Sequence, residues 1–260
     1  MKTSRLLLLL LLAFVLNCRP VMPDAASQSK PAEPSIYETR AQHDPDGIGK
    51  FYMGREIAHV MGWQGAEWLE RPARIEEERP DEVVKQMKLR PADVVADVGA
   101  GTGYFTFRFA RVVKDGMVYA VDLQPQMLQL LEARKAELNA GNVTPVRSTE
   151  TSVNLPDGSV DVVFFADVYH EFSHPREIME SLVKALKPGG RVVQIEYRGE
   201  DPNVPIKRVH KMTVAQCKKE MAAVGLVWKE TKNFLPQQHF LVFTLGAQAS
   251  PPAARTQKTQ

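Results

Sequence analysis

From residue 93 to residue 244 the chain alternates apolar runs of strand length with amphipathic stretches of helical length, and this alternation limits the fold more than any other feature. Strands are predicted at 93–98, 117–121, 143–147, 160–166, 191–197, 226–231 and 239–244, and helices at 104–113, 126–138, 175–186 and 213–224. Each helix carries an apolar stripe: Phe105, Phe109 and Val112 in one, Ile178, Leu182 and Leu186 in another, Cys217, Met221 and Val224 in a third. Near-continuous apolar strands such as Val160 to Ala166 suit a sheet covered on both faces. Strand–helix alternation with such strands predicts an α/β fold, a doubly wound, Rossmann-like sheet of seven strands. Ahead of it, Ile57, Val60 and Met61 recur at helical spacing, and Val83, Val84 and Met87 follow Pro80-Asp81, so 36–80 reads as an N-terminal helical extension. Its Trp63 and Trp68 fit either a lid over a water-poor site or ordinary core packing.

The two ends read differently. Lys2 and Arg5 precede an unbroken apolar run of eleven residues, Leu6 to Leu16. As a helix that run is roughly 17 Å long, short of the ~30 Å hydrocarbon core, and it reads as an export signal. Val15-Leu16-Asn17-Cys18 resembles a bacterial lipoprotein processing site, although Asn17 stands where a small residue is usual; cleavage near Ala25-Ala26-Ser27 is the other reading. Residues 1–35 are thus expected to be signal and Pro/Ser/Ala-rich linker, and 246–260, with Pro251-Pro252, a disordered tail. The leader implies export or membrane anchoring, with a tether through the leader itself or a lipidated Cys18. A net charge of +2 without a basic run disfavours nucleic acid as a partner. Two cysteines, Cys18 and Cys217, build neither a disulfide framework nor a multi-cysteine zinc site.

The chemistry concentrates where the first predicted strand ends: Val94-Val95-Ala96-Asp97-Val98-Gly99-Ala100-Gly101-Thr102-Gly103. Three alternating glycines let the chain turn sharply and let its backbone approach a ligand before a helix begins. The dinucleotide spacing G-x-G-x-x-G fails in both registers, because Tyr104 or Thr106 falls where the third glycine is needed. Asp97, inside the strand end, suits a cationic or hydroxyl-bearing ligand better than a pyrophosphate. Asp122 closes the next strand, where a carboxylate can accept from both hydroxyls of a ribose.

Over residues 81–245 the chain resembles the class I S-adenosylmethionine-dependent methyltransferases. Asp97 to Gly103 matches their glycine signature and Asp122 their ribose-binding acid. Leu155-Pro156-Asp157-Gly158-Ser159-Val160-Asp161 resembles the turn into their fourth strand, and Leu186-Lys187-Pro188-Gly189-Gly190-Arg191 the helix exit before their fifth. The resemblance implies a seven-stranded sheet with its last strand antiparallel, S-adenosyl-L-methionine as cofactor and a small-molecule methyl acceptor. It also implies cofactor contacts at Asp97, Gly99, Gly101, Gly103, Asp122, Leu123 and Ala166. Where the family usually places an adenine-binding acid, this chain has Thr149 and Glu150.

Methyl transfer from a sulfonium is a displacement with an activated leaving group, so a protein must chiefly orient the reactants and exclude water. A base is needed only if the acceptor carries a proton of high pKa. His170 and Tyr169, in the segment after the fourth strand, are the candidates, with Glu171, Glu196 and Tyr197 behind them. An exported ligand-binding protein on the same fold, without turnover, is the alternative. A third reading is a zinc hydrolase, since His170-Glu171-Phe172-Ser173-His174 spells H-E-x-x-H. Pro175 disfavours helical geometry at His174, a further ligand such as His210 or His239 is distant in sequence, and no metal site is expected.

Overall fold

The structure is a computed structural model and describes residues 35–246. The leader, Cys18, nearly all of the linker and the tail beyond Gly246 lie outside the described residues.

Three strands come first, β1 (Tyr37–Thr39), β2 (Gly47–Tyr52) and β3 (Arg55–Ala58), paired antiparallel in a small sheet of their own. The helical reading of 36–80 is therefore corrected over 37–58. Its physical cause is the Met53-Gly54 corner: both residues take positive φ (50° and 94°), as a two-residue hairpin demands. Ile57 belongs to β3, and Val60 and Met61 lie in the irregular stretch after it. Helical structure begins only at Trp63, in a single 3-10 turn followed by α1 (Ala66–Leu69), α2 (Arg74–Glu78) and α3 (Pro80–Met87). Pro80 starts α3, where its missing N–H costs nothing, and Val83 and Met87 are buried.

The body then runs β4 (Val94–Val98), α4 (Thr106–Ala110), β5 (Met117–Asp122), α5 (Pro125–Glu137), β6 (Val143–Arg147), β7 (Val160–Ala166), α6 (Pro175–Ala185), β8 (Leu186–Tyr197), α7 (Val214–Ala222), β9 (Leu226–Lys232) and β10 (Gln238–Leu245). The seven strands stand in the order β6-β5-β4-β7-β8-β10-β9. β6, β5, β4, β7 and β8 are mutually parallel, while β10 lies antiparallel between β8 and β9. This is the Rossmann-like methyltransferase sheet expected from the sequence, with its last strand antiparallel. β8 starts five residues before the predicted strand and passes through Pro188-Gly189, with a register shift opposite β7 between Val160 and Val162. From Val162 on, the side chains of β7 alternate: Val162 and Phe164 join Phe105, Phe109 and Val118 on one face, whereas Val163 and Phe165 join Met179, Leu182 and Met221 on the other. Both faces are dry, which is why the strands read as continuous apolar runs.

Strand order reverses between β4 and β7. After β6 the chain crosses back to the far side of β4, so loops leaving the carboxyl ends of β4 and β7 diverge and open a crevice between them.

Candidate active site

The crevice encloses about 590 Å³ and takes its walls from the ends of β4, β5 and β7, from residues 148–150, and from the N-terminal segment around Val60, Met61 and Leu69. On the β4–β5 side the wall is mostly backbone. Gly99 and Ala100 N–H both donate to Val121 O, at 2.8 and 3.0 Å, and fold the glycine loop over β5. Gly101 N–H then donates to Asp122 Oδ2 at 2.9 Å, and Gln124 N–H to Asp122 Oδ1 at 2.8 Å. Gly99 has φ 69°, and a Cβ there would lie 2.5 Å from Val168 Cγ2. Burial pushes the Asp122 carboxyl above its ordinary pKa, against the backbone N–H donors that favour its charge. Asp97 is buried deeper still; burial lifts it to about 7, although Thr106 donates to it at 2.5 Å.

Leu123, Thr149, Glu150 and Ala166 also face the crevice. Thr149 Oγ1 accepts from Ser152 N–H at 3.0 Å and closes a turn, while Glu150 Oε2 approaches His174 Nδ1 at 3.4 Å. Gly103 does not face the crevice. Its φ of 84° serves the turn into α4, where a Cβ would strike the Phe107 ring.

The opposite wall is built from side chains of distant origin. Asp167 sits just past β7 in a left-handed conformation, φ 51°, and Gln238 of β10 donates to its carboxylate. Burial, then the neighbouring Glu78 carboxylate, holds Asp167 well above the ordinary range. From α2, Arg74 pairs with Glu78 at 2.6 Å and lies 3.9 Å over the Tyr104 ring. Residues 169–171 form one 3-10 turn that presents His170 and Glu171. His170, 2% exposed, places Nδ1 2.7 Å from Glu196 Oε2 and Nε2 3.2 Å from His210 Nδ1. Burial lowers His170 to about 3 and raises Glu196 to about 8, so near neutrality the imidazole is uncharged and the carboxyl largely protonated. Arg55 of β3 ties this wall together: it binds Glu220 of α7 bidentately, at 2.8 and 2.9 Å, and donates to His170 O at 3.1 Å.

The sequence expectations fare unevenly on this wall. His170 reaches the crevice, but as an uncharged imidazole whose two nitrogens already have partners. Tyr169 does not reach it: the ring is fully buried, stacked 5.7 Å from Phe165 with the Arg55 guanidinium above it. The H-E-x-x-H reading fails on geometry. His174 caps α6 rather than sharing a helical face with His170, and its Nδ1 approaches Ser173 Oγ at 3.0 Å; His239 is engaged by Glu200 at 2.7 Å. Arg55, Arg71, Arg74, Glu78 and Asp167 were not singled out in the sequence. Only Asp167 carried a local signal, as a polar residue ending a buried strand. Trp68, 54% exposed, stacks on Arg71 at the rim and is not core.

Residues 95–190 match the family described as a methyltransferase domain. The ubiquinone/menaquinone biosynthesis C-methyltransferase UbiE of Ectopseudomonas mendocina is 33% identical over 111 residues, 42% of this chain and 43% of that protein. The corresponding protein of Marinomonas sp. is 28% identical over 116 residues, covering 44% and 46%. The match thus spans less than half the length of these curated relatives. Among solved structures, a SAM-dependent methyltransferase from Aquifex aeolicus superposes with a TM-score of 0.67 at 24% identity, over 71% of this chain and 98% of that one. The [4+2]-cyclase SpnF shares the fold as well, at TM-score 0.53 and 19% identity, over 60% of this chain and 58% of that one. These two likenesses establish the fold, and the second shows that the fold alone does not fix the reaction.

Proposed function

We propose that this chain, whose body carries a methyltransferase domain of the class I S-adenosylmethionine-dependent type, transfers the sulfonium methyl group to a small-molecule acceptor. The observation that carries the reading is the mutual grip of the glycine loop and Asp122: the Gly101 N–H and the Gln124 N–H fix a carboxylate at the mouth of the crevice. A carboxylate so fixed can accept from both ribose hydroxyls without reorganising. Asp97, at the end of β4, adds a second acid that a cationic ligand would ionise. Val60, Met61, Leu69 and Phe105 add apolar surface to the crevice; Leu69 lies over Gly101, and Gln124 Nε2 donates to Met61 O at 2.9 Å. This supports a covering role for residues 58–70. The C-methylation named for the UbiE relatives makes a carbon acceptor the first class to test.

Titration calorimetry with S-adenosylmethionine and S-adenosylhomocysteine tests the reading. Binding that Asp122→Ala removes supports it; unchanged binding in that variant overturns it. Turnover with a labelled methyl donor separates the enzyme from a ligand-binding protein of the same fold. The leader and Cys18 support export or membrane anchoring as a further proposal, which a reporter active on one side of the membrane would test.

A further inference from the structure

The H-E-x-x-H histidines part company in the fold, yet the first of them acquires a different partner. His170 Nε2, His210 Nδ1 and Glu171 Oε1 converge on one point of the crevice wall, at 3.2, 3.6 and 3.9 Å from one another. Donors about 2.1 Å from a tetrahedral ion are about 3.4 Å apart, and the point equidistant from these three, in their plane, lies roughly 2.1 Å from each. We propose that His170, Glu171 and His210 bind a divalent transition-metal ion, of the zinc type, in the wall of the crevice.

The surroundings are those that a metal ligand set needs. Glu196 Oε2 lies 2.7 Å from His170 Nδ1 and fixes the ring with Nε2 towards the cluster; an ion at Nε2 requires that Nδ1 carry the proton and donate to Glu196. Glu171 is oriented by its other oxygen, which accepts from Met61 N–H at 3.2 Å. All three ligand residues line the crevice, so a fourth ligand reached from it would be water or an acceptor oxygen or nitrogen. Two imidazoles and one carboxylate favour zinc, cobalt or iron over magnesium or calcium, which prefer all-oxygen shells. Without an ion, the two rings, at 80° to each other, would share a single N–H···N bond across the same 3.2 Å. Metal binding itself does not depend on the methyl-transfer reading; only a role for the ion in holding the acceptor rests on it.

The test uses the full chain, stripped with a chelator and titrated with Co²⁺, the visible spectrum reporting coordination and Zn²⁺ competing for the site. One equivalent of Co²⁺ with ligand-field bands, displaced by Zn²⁺ and not by excess Mg²⁺, is expected. His210→Ala, a partly exposed position, should abolish those bands. His174→Ala should leave them intact, and Glu196→Gln should weaken affinity about 10–100-fold. Asp122→Asn should weaken S-adenosylmethionine about ten- to a hundredfold while keeping the Co²⁺ spectrum, so failure of the cofactor reading and failure of the metal site are read separately. No stoichiometric Co²⁺ binding, or bands that survive His210→Ala, would overturn the proposal.

Discussion

The two walls of the crevice are made of different materials. On the β4–β5 side, the groups facing a ligand are backbone amides and two acids supplied within 25 residues of one another, Asp97 to Asp122. On the β7–β8 side they are side chains of residues 74, 78, 167, 170, 171 and 210, brought together from α2, two 3-10 turns and the end of β7, with Arg55 and Glu196 buried behind them. A backbone wall is set by local turn geometry and is indifferent to what the rest of the chain contributes. A side-chain wall exists only when the whole domain has folded, and its neighbours can be exchanged to suit an acceptor. This difference suits the first half to a ligand gripped through backbone-fixed groups and the second to one recognised by charge and shape.

The sharpest way to break that comparison is to remove the pin of the side-chain wall. Arg55 and Glu220 are both buried and bound to each other. Arg55→Ala leaves the buried Glu220 carboxylate without its counter-charge, with Gln216 still donating to it, and should cost about 3–5 kcal/mol of stability, whereas exchanging both residues for apolar ones of similar volume should cost far less. Denaturant unfolding of the single and double variants checks this; equal losses in both would show that the pair is not the pin. On the other wall, Asp122→Asn keeps the shape but removes the charge. It should weaken S-adenosylmethionine by about 1.5–3 kcal/mol, or roughly ten- to a hundredfold, and, because its NH2 cannot accept one of the two buried backbone N–H bonds, should also cost about 1–3 kcal/mol of folding stability.

The same difference explains what could be read from the amino-acid order. Gly99, Gly101, Asp97 and Asp122 could be placed on one wall from the sequence because loop and acid follow consecutive strands, so pattern and geometry coincide; Gly103, read as part of the same wall, serves the turn into α4 instead. The seven-strand sheet was legible for the same reason: dry faces impose apolar runs at strand length. The hairpin at 37–58 was not, because Ile57, Val60 and Met61 happen to fall at helical spacing and the turn rests on Met53, an unusual residue for positive φ. His210 was named beside His239 as a distant candidate, but nothing in the sequence chose between them, since 40 residues, a helix and a strand separate His170 from His210 and only the return of the chain past β8 unites them. Tyr169 shows the converse error. One step along a 3-10 turn separates a crevice side chain from a core one, and sequence proximity cannot tell them apart.

A third prediction sharpens the contrast through pH. With burial as its main cause, Asp97 titrates near 7 in the folded chain, against about 3.9 unfolded. Because the folded value is raised, its contribution to stability is complete below about pH 4 and is lost as pH rises through about 7. A bound sulfonium favours the ionised acid, so cofactor affinity should climb about tenfold per pH unit up to about 7 and level off above it. Calorimetry at pH 6 in buffers of different ionisation enthalpy should register proton release on binding, and at pH 8.5 none; a flat profile in Asp97→Asn would assign the effect. Histidine-wall variants such as His210→Ala should leave this profile unchanged.

The smallest effect expected distinguishes two glycines of the backbone wall. Both take left-handed φ, so alanine at either position costs roughly 1–2 kcal/mol for conformation alone. At Gly101 the added Cβ meets a single atom, Leu69 Cδ1 at 2.6 Å, the far end of a side chain that can swing towards the open crevice. At Gly99 it meets three atoms of Val168, between 2.5 and 3.0 Å, and a β-branched side chain has no such freedom. Gly99→Ala should therefore destabilise the chain more than Gly101→Ala and also displace the 166–171 segment. Chemical-shift changes of His170 in the first variant, and their absence in the second, would show that the two walls touch at Gly99 and Val168; identical spectra would show that they are independent.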